Sequence, residues 1–296
     1  NKITDIPDGM FYNCTSLTEV KLPSKLKTIG TNAFNTCRAL TEVNIPEGVT
    51  AIETGAFRGC ASVESVTLPA SLKSIGRMVF TGTVWIRKNE KDNMVITNNG
   101  FLVKYTGKTS ELTIPKNVVY IAPYVFNNNE YLESVKLSNH ITVIAKGTFA
   151  NCRNLKKVIF PKNLETIEYN AFNNCSSLTQ IDFPDKLLTI GERAFVNCGF
   201  KTLVLPKKLT TISSSAFSNC NSLKEIWLPQ SLKTIGDYTF SWCSKLTKIH
   251  IPSTVTNIGR YAFYNWDLKG SQTIYCEASS YAYKYAIKYG FLVEYE

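Results

Sequence analysis

The sequence predicts a repeat solenoid of about eleven to twelve coils of 23 residues, each adding a parallel β-strand and a short helical turn to a stack. Phenylalanine recurs at Phe11, Phe34, Phe57 and Phe80, then at Phe126, Phe149, Phe172, Phe195, Phe217, Phe240 and Phe263. The spacing is 23, with one step of 22 and one of 46. A proline column follows at Pro23, Pro46, Pro69, Pro115, Pro161, Pro184, Pro206, Pro229 and Pro252, broken by Ser138. Through one period the unit reads C-x-x-L-x-x-[VI]-x-[LIF]-P-x-x-[LVI]-x-x-I-x-x-x-[AV]-F-x-N. A fixed period in the twenties means that each unit buries its apolar edge only by stacking on its neighbours.

Within the unit, L-x-x-V-x-L alternates apolar and polar positions, the period of a short strand with one buried face. Proline ends that strand. A second apolar pair, such as Leu187 and Ile190, leads into a helical turn carrying Ala194 and Phe195. At about 4.8 Å per stacked strand, a dozen coils make a rod on the order of 55 Å long. The reading is one solenoid domain over residues 1–296.

The residue two after each phenylalanine supports the turn. It is asparagine at 13, 128, 151, 174, 197, 219 and 265 and glycine at 59 and 82, with Thr36 and Trp242 as exceptions. Asparagine and glycine tolerate the left-handed conformation that ends a helix. The N-C-T at Asn13 and N-C-S at Asn174, which match glycosylation acceptors, are therefore read as backbone caps. Residues 81–111 replace one repeat with an irregular segment. There "NMVITNNGFLVKY" reads as a hairpin joined through Asn98-Asn99-Gly100. Residues 264–296 lose the template and read as a C-terminal cap of a helix and a strand. Asn1 opens no signal peptide, and the chain starts inside a repeat, which points to a longer parent protein.

The unit, with its cysteine, Leu-x-x-Val-x-Leu-Pro and Ile-Gly-x-x-Ala-Phe, resembles the BspA-type (Treponema-like) leucine-rich repeat family over about residues 3–263. The resemblance implies a leucine-rich-repeat right-handed superhelix with its main sheet on the concave side. It also implies a surface-exposed or secreted bacterial or protist protein, in some cases an adhesin.

Eight of the nine cysteines (14, 37, 60, 152, 175, 198, 220, 243) hold one template position, and Cys276 lies outside it. Metal sites need converging ligands at short spacing, whereas these follow one another at about one coil. Stacked about 4.8 Å apart, their side chains run parallel, while a disulfide needs facing Cβ atoms about 3.8 Å apart. The column is read as buried packing, with no metal and no cofactor expected. His140 and His250, the only histidines, stand on different template positions. The sequence shows no nucleophile elbow and no dinucleotide fingerprint. In "TGKTS" at 106–110, Leu102 stands where a phosphate loop needs its first glycine. No catalytic constellation emerges, so an enzyme is not expected. The net charge of +10 comes without a basic run longer than two, which argues against nucleic acid. A diffuse positive field favours acidic partners or anionic glycans weakly. No apolar run is long enough to span a membrane.

The outward position of the strand reads Lys21, Asn44, Thr67, Thr113, Lys136, Ile159, Asp182, Val204, Trp227, His250. Polar residues are ordinary there; Ile159, Val204 and Trp227 are not. Trp227 and His250, flanked by Glu225 and Lys248 in the parallel column, have the composition of an interface hot spot. Equally, Trp227 could shield an adjacent strand or meet the C-terminal cap. The expectation is a monomeric, extracellular or cell-surface module that binds a protein through Trp227, His250, Val204, Glu225, Lys248, Ile159 and Asp182 on its concave face. The alternative is a carbohydrate-binding or spacer domain, with Trp227 and Trp242 stacked on sugar rings.

Overall fold

The computed structural model describes residues 3–268 and 270–296. Asn1, on which the reading of a trimmed start rests, lies outside them with Lys2 and Lys269. By internal contacts the chain divides into two compact units. One runs up to Gly107 and includes Val118–Val125; the other comprises Lys108–Asn117 and Phe126–Glu296. Each is a parallel β-solenoid.

Most coils contribute a front and a back strand rather than the one expected. Front strands come from the V-x-L stretch. In the first unit Glu42–Asn44 pairs with Ser65–Thr67; in the second, Glu111–Thr113, Ser134–Lys136 and Lys157–Ile159 share one parallel sheet. The apolar pair after the proline makes a back strand. Thr166–Ile167, Thr189–Ile190, Thr211–Ile212 and Thr234–Ile235 lie in one parallel ladder. In each, the isoleucine is buried and the threonine faces outward, as β-branched residues do on a half-buried pleat. The next residue is often glycine because the coils touch there: a Cβ on Gly236 would overlap the backbone nitrogen of Ser214.

The segment carrying Ala-Phe is a run of tight turns, not a helix. Alternate N–H groups point in different directions. Ala33, Asn35 and Cys37 donate within their own coil, to the carbonyls of Gly30, Asn32 and Phe34 at 3.1–3.2 Å. Asn32, Phe34 and Thr36 donate to the next coil, to Thr54, Ala56 and Arg58 at 2.7–2.9 Å. That alternation uses two left-handed residues per coil. One is the expected position two after the phenylalanine, where Thr36 (φ 65°) and Trp242 (φ 59°) conform like the asparagines. The other lies two before it, occupied by Asn32, Met78, Arg193 and Tyr238 at φ 54–59°. Asn265 is not left-handed; a 3-10 turn, Trp266–Leu268, follows it.

The phenylalanine column fills both cores. Within the second unit Phe149, Phe172 and Phe195 stack at 5.1 Å with planes within 12°. Beside them runs the thiol column. Cys60 donates to the Phe34 carbonyl at 3.0 Å, Cys152 to Phe126 at 3.0 Å and Cys175 to Phe149 at 3.2 Å, each one coil back. A small, weakly donating side chain fits that slot. Cys14 departs from the packing expectation: it is exposed, and no such donation from it is observed among the described residues. Cys276, outside the column, is buried.

The irregular segment of the first unit holds a short helix, α1 (Val84–Lys88), capped by the Thr83 hydroxyl, which accepts from Ile86 N–H at 3.1 Å. The hairpin follows, Met94–Ile96 antiparallel to Phe101–Tyr105. Near the end of the second unit, α2 (Tyr281–Tyr289) starts at Ser280 and stops at left-handed Gly290 (φ 74°). Strand Leu292–Tyr295 then pairs in parallel with Thr273–Cys276.

Candidate binding site

Four parallel front strands build the site in the second unit: Glu225–Trp227, Lys248–His250, Thr273–Cys276 and Leu292–Tyr295. Their register sets Trp227 beside His250 and His250 beside Tyr275. Val204 forms an isolated parallel bridge with Trp227 on the other side. Strand alternation buries Ile226 and Ile249 and turns Val204, Trp227, His250 and Tyr275 toward the same face.

The rings form a stack. Trp227 lies flat on His250, centroids 3.4 Å apart and planes within 6°; His250 lies on Tyr275 at 4.3 Å and 15°. The imidazole edge is held as well. Nε2 meets Glu225 Oε1 at 2.9 Å, and Nδ1 makes a short contact with Glu296 Oε1. Both partners are carboxylate oxygens, so the ring is held at each of its two nitrogens by a side chain from a different strand or terminus.

His250 was expected to be exposed, and here the structure corrects the sequence. It is 6% exposed, covered by Trp227 and Tyr275, whereas Trp227 is 60% and Val204 79% exposed. His250 therefore supports the surface from beneath. Glu225 is half-buried beside it and Lys248 is exposed. Tyr275 and Glu296 were missed by sequence reasoning. Tyr275 stands 25 residues after His250, not 23, because the stretch after Asn265 breaks the period.

Ile159 and Asp182 lie elsewhere on the same face, on consecutive coils, lining a groove of about 700 Å³ with Lys157. No strand pairing joins these two coils at the front among the described residues. Phe160 and Phe183 replace the leucine or isoleucine before proline, and their rings stand 6.2 Å apart. The structure thus brings Val204, Trp227, His250, Glu225 and Lys248 together and sets Ile159 and Asp182 at a separate groove.

The buried thiols offer little chemistry. Burial pushes Cys60 and Cys152 up to about 12 and Cys175 well above the ordinary range. At neutral pH they lack the thiolate that nucleophiles and metal ligands require. Among the described residues no three His, Cys, Asp or Glu side chains converge as a metal site, and no helix is long and apolar enough to cross a membrane.

The family model described as BspA type Leucine rich repeat region matches residues 1–101, 92–179 and 165–288. Among solved structures, the Treponema pallidum leucine-rich repeat protein is 25% identical, with a TM-score of 0.56 over 70% of this chain and 96% of that one. A leucine-rich cell surface protein from Faecalibacterium prausnitzii is 27% identical, with a TM-score of 0.40 over 83% of this chain and 76% of its own. A leucine-rich repeat protein from Bacteroides ovatus is 24% identical, with a TM-score of 0.36 over 99% and 88%. No curated protein matches the chain.

Proposed function

Because the chain belongs to the BspA-type leucine-rich repeat family, we propose that it is a non-enzymatic binding module of a cell-surface or secreted protein. It holds a protein partner on its front face, with Trp227 as the anchor and Val204 beside it. One observation carries this reading: a tryptophan 60% exposed to solvent lies flat on a buried histidine whose ring nitrogens meet two carboxylates. Large aromatic area presented in one conformation loses little side-chain entropy on binding, which is what distinguishes a hot spot from incidental exposure. Glu225 and Lys248 supply a charged rim of both signs.

The test is direct binding of purified extracellular-matrix and secreted proteins to the immobilised chain. A partner of the proposed kind is retained by the wild type and lost with Trp227→Ala. Retention of every bound protein by Trp227→Ala would remove the front face as the site.

A further inference from the structure

In the second unit a front sheet stops at Lys157–Ile159 while the back of the same coil stays in its ladder. Lys157–Ile159 is the last of three parallel front strands. Behind it, Thr166–Ile167 pairs with Thr189–Ile190 of the next coil. Backbone bonds join the two coils on both sides of the break. Ser177 N–H donates to the Arg153 carbonyl at 3.2 Å and Leu188 N–H to the Glu165 carbonyl at 3.0 Å. Between them, no backbone hydrogen bond links residues 156–160 to residues 179–183 among the described residues.

The missing bonds can be identified. Ile114, Leu137, Leu228 and Ile251 each donate N–H to the next coil, to the carbonyls of Lys136, Ile159, His250 and Tyr275 at 2.8–3.0 Å. Phe160 holds the same template position and makes no such bond among the described residues. The Ile159 carbonyl is turned back to Leu137, so alternation along the strand aims the N–H groups of Val158 and Phe160 the other way, at the gap. The gap is the groove of about 700 Å³, walled by Lys157 and Ile159 on one side and by Gln180 and Asp182 on the other, with buried Val158 and Ile181 between. That volume falls in the range of ligand clefts, about 300–1,000 Å³. An unpaired strand edge is a template for another strand.

We propose that this edge takes an extended peptide of a partner protein, which adds a strand alongside Lys157–Ile159 and carries a carboxylate opposite Lys157. Main-chain bonds to Val158 and Phe160 hold the peptide, and side chains decide which peptide enters. Lys157 forms no ion pair among the described residues, whereas Lys156 beside it is held by Glu133 at 2.7 Å. Asp182 stands on the opposite wall. Directly across from Lys157, an acidic residue makes the favourable cross-strand pair and a basic one the unfavourable. Ile159, 41% exposed on the same face, and the apolar floor suit β-branched neighbours. The edge shares no residue with the Trp227 patch and does not rest on that reading.

The test uses the full chain and a capped hexapeptide of alternating glutamate and valine, followed by amide-resolved NMR. In the chain alone, the Val158 and Phe160 amides should exchange with solvent far faster than that of Leu137, the same position as Phe160 one coil earlier. The peptide should bind saturably and slow both. Methylating either its glutamate nitrogens or its valine nitrogens should abolish binding in one case only, because one edge of an added strand faces the chain. A hexapeptide of alternating lysine and valine should bind about fivefold more weakly. Lys157→Glu, at an exposed position, should weaken the glutamate peptide by a similar factor, the scale of one cross-strand charge pair. Trp227→Ala should change nothing, which separates this edge from the aromatic patch. No saturable binding, the same response to both methylations, indifference to peptide charge, or protected Val158 and Phe160 amides in the chain alone would overturn the proposal. Protection that grows with protein concentration in the absence of peptide would give the edge to a second copy and overturn it likewise.

Discussion

Phe172→Ala probes the stack at its most enclosed point. The ring is fully buried, lies between Phe149 and Phe195 at 5.1 Å on either side, and receives Phe160 edge-on at 5.9 Å. Truncating a buried phenylalanine costs about 3–5 kcal/mol, and aromatic pairs add about 0.5–1.5 kcal/mol each beyond area burial. With three such pairs lost, the upper end of the range, about 5 kcal/mol, is expected. Phe11 is only half-buried and stacks on one neighbour, Phe34, at 4.9 Å. Phe11→Ala is therefore expected to cost less than half as much. Urea unfolding followed by circular dichroism measures both as shifts in midpoint at unchanged slope. Equal losses would show that stability is not a sum over nearest-neighbour coils, and the reasoning would fail.

Three further outcomes follow from the column geometry. A thiol reagent applied to the native protein should modify Cys14 rapidly, while the buried cysteines react only after denaturation; rapid labelling of Cys175 would contradict its burial. Stability should fall with alkaline pH. Cys60 and Cys152 keep their protons up to about 12 when folded, whereas an unfolded thiol releases its own near about 8.5. The contribution is thus complete below about 8.5 and is lost as pH rises toward 12, by about 1.4 kcal/mol per pH unit per thiol. Cys60→Ala should flatten that slope, and an unchanged slope would refute the assignment. Finally, Thr36→Gly should stabilise by about 0.5–1 kcal/mol in thermal unfolding, because a left-handed β-branched residue is relieved at the expense of glycine's entropy. Destabilisation would mean that the Thr36 side chain contributes more than its backbone strain removes.

What was legible in the sequence was whatever repeats as a side chain. Phenylalanine, proline and cysteine mark the period because each fills a position that one shape fits, and Val204 and Trp227 fall on one face by counting. The back strand was not legible as a strand, since two residues such as Thr189 and Ile190 carry no periodicity of their own. The second left-handed column was hidden because Asn32, Met78, Arg193 and Tyr238 share no chemistry; inter-coil backbone hydrogen bonds impose that conformation. His250 read as exposed because Tyr275, which covers its second face, and Glu296, which meets its edge, arrive from a stretch where the 23-residue count fails.

The measurement that bears most directly on the proposed function pairs the binding and the stability of Trp227→Ala. With 60% of the residue already exposed, truncation removes little buried area, so the melting midpoint should barely move. Partner affinity should fall by about 2 kcal/mol or more, the scale of a hot spot. Lys21→Ala, at the same template position in the other unit, should change neither. The reverse result, a chain unfolded by Trp227→Ala or one that binds its partner undiminished, would make the tryptophan a cover for His250 and leave the front face without its anchor.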